Sequence, residues 1–248
     1  MMPTNELIIS ISPQRFNTYK TIYLQIVPSH SMTNEYREVM FYMHIQKIYS
    51  HFFIPIQVLE VTLRNRIHNA MSVHYKTEDW FQLLLAEKFC SYVTNKVFLD
   101  TKKQALKDFQ KYSKLNIPNR VLMPEDYVGR LNFGYWVELL QAKYRQTLFW
   151  QTKIDMVFPC RENTKIGPIY NSMKRVQSIR NRLYHYEPLW KNARKFQDIN
   201  DFCNNIEEQY FLIIELIGYC SAEQIALLEE SIFLFELEME EFKFQYNK

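Results

Sequence analysis

Ten residues, Ile179-Arg180-Asn181-Arg182-Leu183-Tyr184-His185-Tyr186-Glu187-Pro188, gather two arginines, an asparagine, a histidine and a glutamate beside a proline. Asn181 and His185 stand four apart, so on a helix they share a face and can hydrogen-bond. Such a bond would fix the imidazole tautomer, which acid–base work requires. Pro188 disfavours helix at Glu187, so the helix is predicted to end near His185 or Tyr186, with His185 within reach of a substrate. An imidazole titrates near neutral pH, and a guanidinium fork matches phosphate oxygens. Together they suit RNA cleavage without a metal. His185 would take the proton of the 2′-OH or return one to the leaving 5′-oxygen, and Arg180 would stabilise the phosphorane. A structural reading stands beside this one. His185 can simply cap a helix C-terminus, and Arg180 and Arg182 can pair with carboxylates such as Glu60 or Glu187.

Rival chemistries lack their spacing. The six histidines form no H-E-x-x-H, and no G-x-S-x-G elbow occurs. Cys90, Cys160, Cys203 and Cys220 are scattered without a C-x-x-C pair, which suggests buried thiols in a reducing compartment. With four glycines in 248 residues, the chain has no Rossmann or P-loop fingerprint. No metal or cofactor is expected.

The elements that must hold the cluster read as helices. Ser12-Pro13 is a predicted N-cap with proline at the first helical position, opening a short helix that ends before Pro28. A long helical region from about Thr33 to Tyr75 is predicted to break near Phe53, because Pro55 falls inside it. Its second part carries Leu59, Leu63, Ile67 and Met71 in one stripe, with Glu60, Arg64 and His68 beside it at pairing distance. A short helix is expected over Asp79–Leu85. From about Val93 to Leu115 the chain is amphipathic, with Lys96, Lys103, Lys107, Lys111 and Lys114 on one face and Phe98, Ala105, Phe109 and Tyr112 on the other. That lysine face reads either as an ordinary solvated surface or as a strip that tracks RNA phosphates. Pro124-Glu125-Asp126 opens another helix. Gly134, inside Leu131-Asn132-Phe133-Gly134-Tyr135-Trp136, is expected to permit close helix approach. Phe158-Pro159 closes a further helix, and one from about Ile166 leads to His185. A long helix is predicted from about Asn192 to Ile217, with Gly218 just past its end. Ser221-Ala222-Glu223-Gln224 reads as a capping box for a final helix. In it Ile225, Leu228, Ile232, Phe235, Met239 and Phe242 form a heptad seam, with Glu230, Glu236, Glu238, Glu240 and Glu241 outside it. The seam can pack within the chain or against a second copy.

Composition agrees with one all-α domain over residues 1–248. Apolar residues make up 47% and charged residues 23%, which is enough to bury a core, and the net charge of +3 gives no global pull toward nucleic acid or acidic lipid. The N-terminus lacks the pattern of a signal peptide, and no stretch reaches the roughly 18 apolar residues of a membrane span. A soluble cytoplasmic chain, without a membrane partner, is expected.

Arg180-Asn181-x-x-x-His185 resembles the R-x(4–6)-H motif of HEPN-domain ribonucleases. The ten-residue string resembles the RNRxxHxEP signature of the bacterial Abi-like (abortive infection) family. Other pieces agree in order. Ser12-Pro13-Gln14-Arg15-Phe16-Asn17-Thr18-Tyr19 resembles the family's opening, and Leu59-Glu60-Val61-Thr62-Leu63-Arg64-Asn65 its LExxLRN helix. Leu131–Trp136 resembles its LSFGFW element, with Trp150 and Phe158-Pro159 following. The resemblance runs from about residue 12 to 190. Tyr186 departs from it, standing where many members carry a second histidine. It implies a HEPN-like helical bundle with additional N- and C-terminal helices and metal-independent RNA cleavage in antiphage defence or toxin-like growth arrest. It also implies a homodimer in which two motifs face each other, and a toxin-like role leaves room for an antitoxin or regulatory partner. Carried over, Arg180 and His185 are catalytic and Asn181 orients His185. Glu60, Arg64, Asn65 and Glu187 support them, and Arg182 takes a structural or phosphate-contact role. The alternative is a HEPN-like module that binds RNA or protein without cutting. A near-copy, Arg64-Asn65-Arg66-Ile67-His68, has its histidine one position too close for a second such motif.

Overall fold

The structure is a computed structural model that describes residues 4–27, 34–86, 92–113, 123–145, 147–190 and 195–247. Among them the regular structure is all α-helix. In chain order the helices are α1 (Thr4–Ile11), α2 (Pro13–Ile26), α3 (Glu35–Ser50), α4 (Phe53–Tyr75), α5 (Phe81–Ala86), α6 (Tyr92–Ser113) and α7 (Glu125–Val128). There follow α8 (Phe133–Glu138), α9 (Ala142–Arg145), α10 (Leu148–Val157), α11 (Ile166–Tyr184), α12 (Ile199–Cys220), α13 (Ala222–Leu227) and α14 (Glu229–Tyr246). No helix among the described residues is long and apolar enough to cross a membrane. The chain divides into two compact units. The first comprises Met1–Gln57, Ser178–Glu215 and Glu223–Lys248, and the second Val58–Gln177 and Leu216–Ala222.

The first unit is built on aromatic contacts between helices. Tyr23 of α2, Phe41 of α3, Phe202 of α12 and Phe242 and Tyr246 of α14 are all buried. Phe41 meets Tyr23 at 5.3 Å and Phe242 at 5.5 Å between ring centres. Phe235 stacks on Tyr210 at 3.7 Å. Edge-to-face and offset contacts of this kind add roughly 0.5–1.5 kcal/mol each beyond burial. The expected seam of the last helix therefore packs inward through Phe235, Met239 and Phe242.

Local chemistry explains where these helices begin and end. Ser12 caps α2, its hydroxyl accepting from the Arg15 amide, and Pro13 takes the first helical position as predicted. The predicted break near Phe53 falls at His51 and Phe52, between α3 and α4, and Pro55 sits in the first turn of α4. Three expectations need correcting. First, α12 starts at Ile199, not near Asn192, which lies outside the described residues. The Asp198 carboxylate accepts from the Asp201 amide at 2.9 Å, and the Asp201 carboxylate accepts from the Gln197 amide at 3.1 Å. That reciprocal cap fixes the start. Second, Ser221 does not open one continuous helix. Buried Leu228 separates α13 from α14, where the amide of Leu228 tightens onto the Ile225 carbonyl at 2.9 Å. Third, Glu238 is buried rather than outward-facing. Three positions after Phe235 and four before Phe242, it lies on the edge of the apolar stripe. Basic groups of α3 and the residue after it meet it there: Lys47 Nζ at 2.7 Å, His44 Nε2 at 2.9 Å and His51 Nε2 at 4.0 Å. The His44 contact is a close approach of an imidazole whose pKa burial pushes down, and its geometry is not that of an aligned hydrogen bond.

The second unit buries the predicted stripe of α4, Leu59, Leu63, Ile67 and Met71. Trp80, Phe81, Phe98 and Tyr127 pack as a cluster, with Phe81 stacked on Trp80 at 3.8 Å and on Phe98 at 4.5 Å. His68 does not extend an Arg64 ladder. Its Nδ1 accepts from the Trp80 indole at 3.0 Å, and burial pushes its pKa down. The Asn132 side chain caps α8 by accepting from the Tyr135 amide. At Gly134 the close neighbour is a side chain, not a backbone: a Cβ there would stand 2.5 Å from Gln177 Nε2. Gly218 does not end α12, which continues to fully buried Cys220 while the Tyr219 carbonyl accepts from the Cys160 amide. Burial of the last turn outweighs glycine's preference for a terminus. Cys203 and Cys220 are buried, their thiols pushed up to about 12 by burial. Cys160 is exposed, against expectation, because it sits in the turn that follows Pro159. Cys90 lies outside the described residues.

Candidate active site

The motif occupies the last turn of α11 and the segment leaving it. Ile169, Met173, Val176 and Ile179 give the helix a buried stripe, so its polar residues fall on the other faces. Termination is more elaborate than a proline stop. The Glu187 amide donates to the Arg182 carbonyl at 2.7 Å and the Tyr186 amide to the Leu183 carbonyl at 3.0 Å. With Tyr186 at φ 57°, this is a Schellman cap in which tyrosine takes the left-handed position usually given to glycine. Pro188 follows where the helix can no longer continue.

Arg182 holds the segment beyond the cap. Its Nη1 donates to the Pro188 carbonyl at 2.8 Å and to the Trp190 carbonyl at 3.1 Å. The Leu189 amide donates to the buried Tyr49 hydroxyl at 2.9 Å. Trp190 packs edge-on against Tyr19 and Phe202. These bonds tie Arg182 to the backbone after the cap.

Arg180 is half-buried, and its guanidinium lies 4.3 Å over the Tyr184 ring. A cation so placed gains roughly 0.5–2 kcal/mol and loses freedom, which holds its fork in one direction. His185 and Asn181 are exposed. Their expected side-chain hydrogen bond is not formed. They are joined instead by the backbone, the His185 amide donating to the Asn181 carbonyl at 3.0 Å. His185 lies one residue past Tyr184, the last helical residue, and its amide still closes an i→i−4 bond, so helical register reaches it although the two side chains do not bond. Five positions separate Arg180 from His185, which turns the two about 140° apart around the axis. Glu187 is exposed and contributes its backbone to the cap.

The other expected residues belong to the second unit. On α4, Glu60 and Arg64 are half-buried and Asn65 is exposed, with Arg64 Nε donating to Asn65 Oδ1 at 3.2 Å. On α6, Lys96, Lys103, Lys107 and Lys111 are exposed along one face, as predicted. Asp100 interrupts that face, four residues after Lys96 and three before Lys103. Lys114 lies outside the described residues, as does the side chain of Tyr112. Phe98 and Ala105 are buried on the opposite face, and Phe109 is half-buried. No group of three or more His, Cys, Asp or Glu among the described residues is placed to hold a metal ion.

Sequence spacing missed a cavity of about 520 Å³ beside the motif. Its walls come from Gln46 to Ile56 and from Leu183 to Tyr186, two stretches far apart in the chain. The only sequence signal was the aromatic pair around the cap, Tyr184 and Tyr186. Comparison with family models, with curated proteins and with solved structures finds no match for this chain.

Proposed function

We propose that this protein is a metal-independent endoribonuclease of the HEPN type, resembling the Abi-like family, with Arg180 and His185 as its catalytic pair and a role in antiphage defence or growth arrest. The observation that carries the reading is the exposed end of α11. There His185 stands in solvent with no side-chain hydrogen bond among the described residues, one residue after the Tyr184 that supports Arg180. The imidazole moves the proton of the 2′-OH or of the leaving oxygen, and the guanidinium stabilises the phosphorane. Asn181 sets the His185 backbone through the helix end rather than holding its ring. The angle between Arg180 and His185 favours a homodimer in which each chain presents one motif to a shared phosphate. Purified protein is expected to cut RNA in the presence of EDTA, leaving a 2′,3′-cyclic phosphate. Arg180→Ala is expected to abolish cutting, and cleavage that survives this substitution refutes the assignment.

A second reading, an RNA-binding module that does not cut, is favoured by the exposed lysines of α6. It requires the triple substitution of Lys103, Lys107 and Lys111 by alanine to lower the salt slope of RNA binding by about 2. It also requires RNA to stay intact at every protein concentration.

A further inference from the structure

The cavity beside the motif has the chemistry of a nucleobase site. Besides buried Tyr49, its aromatic residues are open, with Phe53 55%, Tyr184 48% and Tyr186 69% exposed. Tyr186 is held at φ 57°, a conformation that a β-carbon resists and that persists only where the surroundings enforce it. The effect is to present a large ring at the cavity. Two cations lie over these rings, Arg180 over Tyr184 at 4.3 Å and Arg15 over Tyr186 at 5.9 Å. Aromatic faces flanked by guanidinium groups are what unpaired bases and their phosphates stack and pair on. An apolar cavity built only for core packing would instead cover its rings.

The polar part of the wall is fixed by a chain of hydrogen bonds. The Leu189 amide donates to Tyr49, so the Tyr49 hydroxyl proton is free to turn to Tyr19. Gln46 Nε2 also donates to the Tyr19 hydroxyl, at 3.3 Å. Its Oε1 remains the end of the carboxamide with no protein hydrogen bond among the described residues. The Ser50 hydroxyl gives its proton to the Lys47 carbonyl at 2.6 Å and keeps its lone pairs. The wall therefore offers two acceptors, Gln46 Oε1 and the Ser50 hydroxyl, beside the second Gln46 N–H, and a carboxamide with both ends open pairs with adenine through its exocyclic amino group and N7.

We infer that the cavity lined by Gln46, Ser50, Phe53, Tyr184 and Tyr186 binds an unstacked, amino-bearing nucleobase of single-stranded RNA beside the scissile phosphate. This rests on the ribonuclease reading for the identity of the ligand as RNA. The base would be held next to the Arg180 and His185 end of α11, so the site sets which phosphodiester is offered for cleavage.

The test uses 2′-O-methyl oligonucleotides, which cannot be cut by 2′-OH attack, so binding is read apart from chemistry. Fluorescence anisotropy with the full chain is expected to show tighter binding of oligoadenylate than of oligouridylate. Phe53→Ala and Tyr186→Gly are expected to weaken oligoadenylate about tenfold each, the usual effect of losing one stacked base. Both variants should fold, because Phe53 is half exposed and the backbone at Tyr186 suits glycine. Gln46→Leu is expected to reduce the preference for adenylate over uridylate. Unchanged affinity in both aromatic variants overturns the inference. So does a shift in sedimentation without a change in affinity, which would make the cavity a protein–protein surface. If the variants lose binding while no form of the protein cuts RNA, the nuclease reading falls and the base site stands. If binding is unaffected while Arg180→Ala stops cleavage, the reverse holds.

Discussion

Arg182→Ala separates the structural from the catalytic members of the motif. In the structure one guanidinium nitrogen serves two carbonyls, of Pro188 and Trp190, and so closes the chain over the end of α11. A hydrogen bond from a charged donor is worth about 1.5–3 kcal/mol net. Two such bonds on a half-buried side chain, discounted for solvent, give about 2–3 kcal/mol lost on truncation. In a chain of this size that corresponds to a fall in Tm of about 5–10 °C. Thermal unfolding followed by circular dichroism reads it directly. Arg182→Lys should recover about half of the loss, since a single ammonium nitrogen can donate to both carbonyls but sits on a more flexible stem and is more strongly hydrated. Well below the transition, Arg182→Ala should still cut RNA. A variant as stable as wild type but inactive would show that Arg182 touches phosphate, and the structural assignment would be wrong.

Two further substitutions or titrations follow from the packing. Gly134→Ala should change stability by less than about 1 kcal/mol, because the gain in helix propensity offsets displacement of the flexible Gln177 carboxamide. Gly134→Leu should destabilise by more than about 1 kcal/mol in urea unfolding, having no space to enter. Burial lowers the pKa of both His44 and His51 below the ordinary value of 6.5, more than Glu238 raises them. The unfolded chain then binds more protons than the folded one in mildly acidic solution. Their contribution is complete above pH 6.5 and is lost as pH falls below it. Urea midpoints at neutral and mildly acid pH should show that decline, and His44→Phe should flatten it. A midpoint that rises on acidification contradicts this.

The sequence was most legible where one local rule decided an element. Pro55 split α3 from α4, Ser12-Pro13 opened α2, and the stripe of Leu59, Leu63, Ile67 and Met71 is buried as its spacing requires. It was less legible where tertiary burial outvoted a local preference, as at Gly218 inside α12 and Glu238 beneath α3. The motif was visible, but its geometry was not. Spacing suggested that Asn181 would hold the His185 ring, whereas the two are joined only through the backbone at the helix end. The cavity wall was invisible because residues 46–56 and 183–186 meet only in the fold. No periodicity signals a tyrosine at positive φ.

The central claim is that His185 performs acid–base chemistry on RNA. Wild type and His185→Ala should be compared at matched concentration in EDTA, with the Tm of each recorded. Because His185 is exposed, the variant should melt with the wild type. It should lose cleavage by at least the hundredfold expected of a general acid–base group. Equal cleavage by the two proteins, at equal stability, would contradict the account.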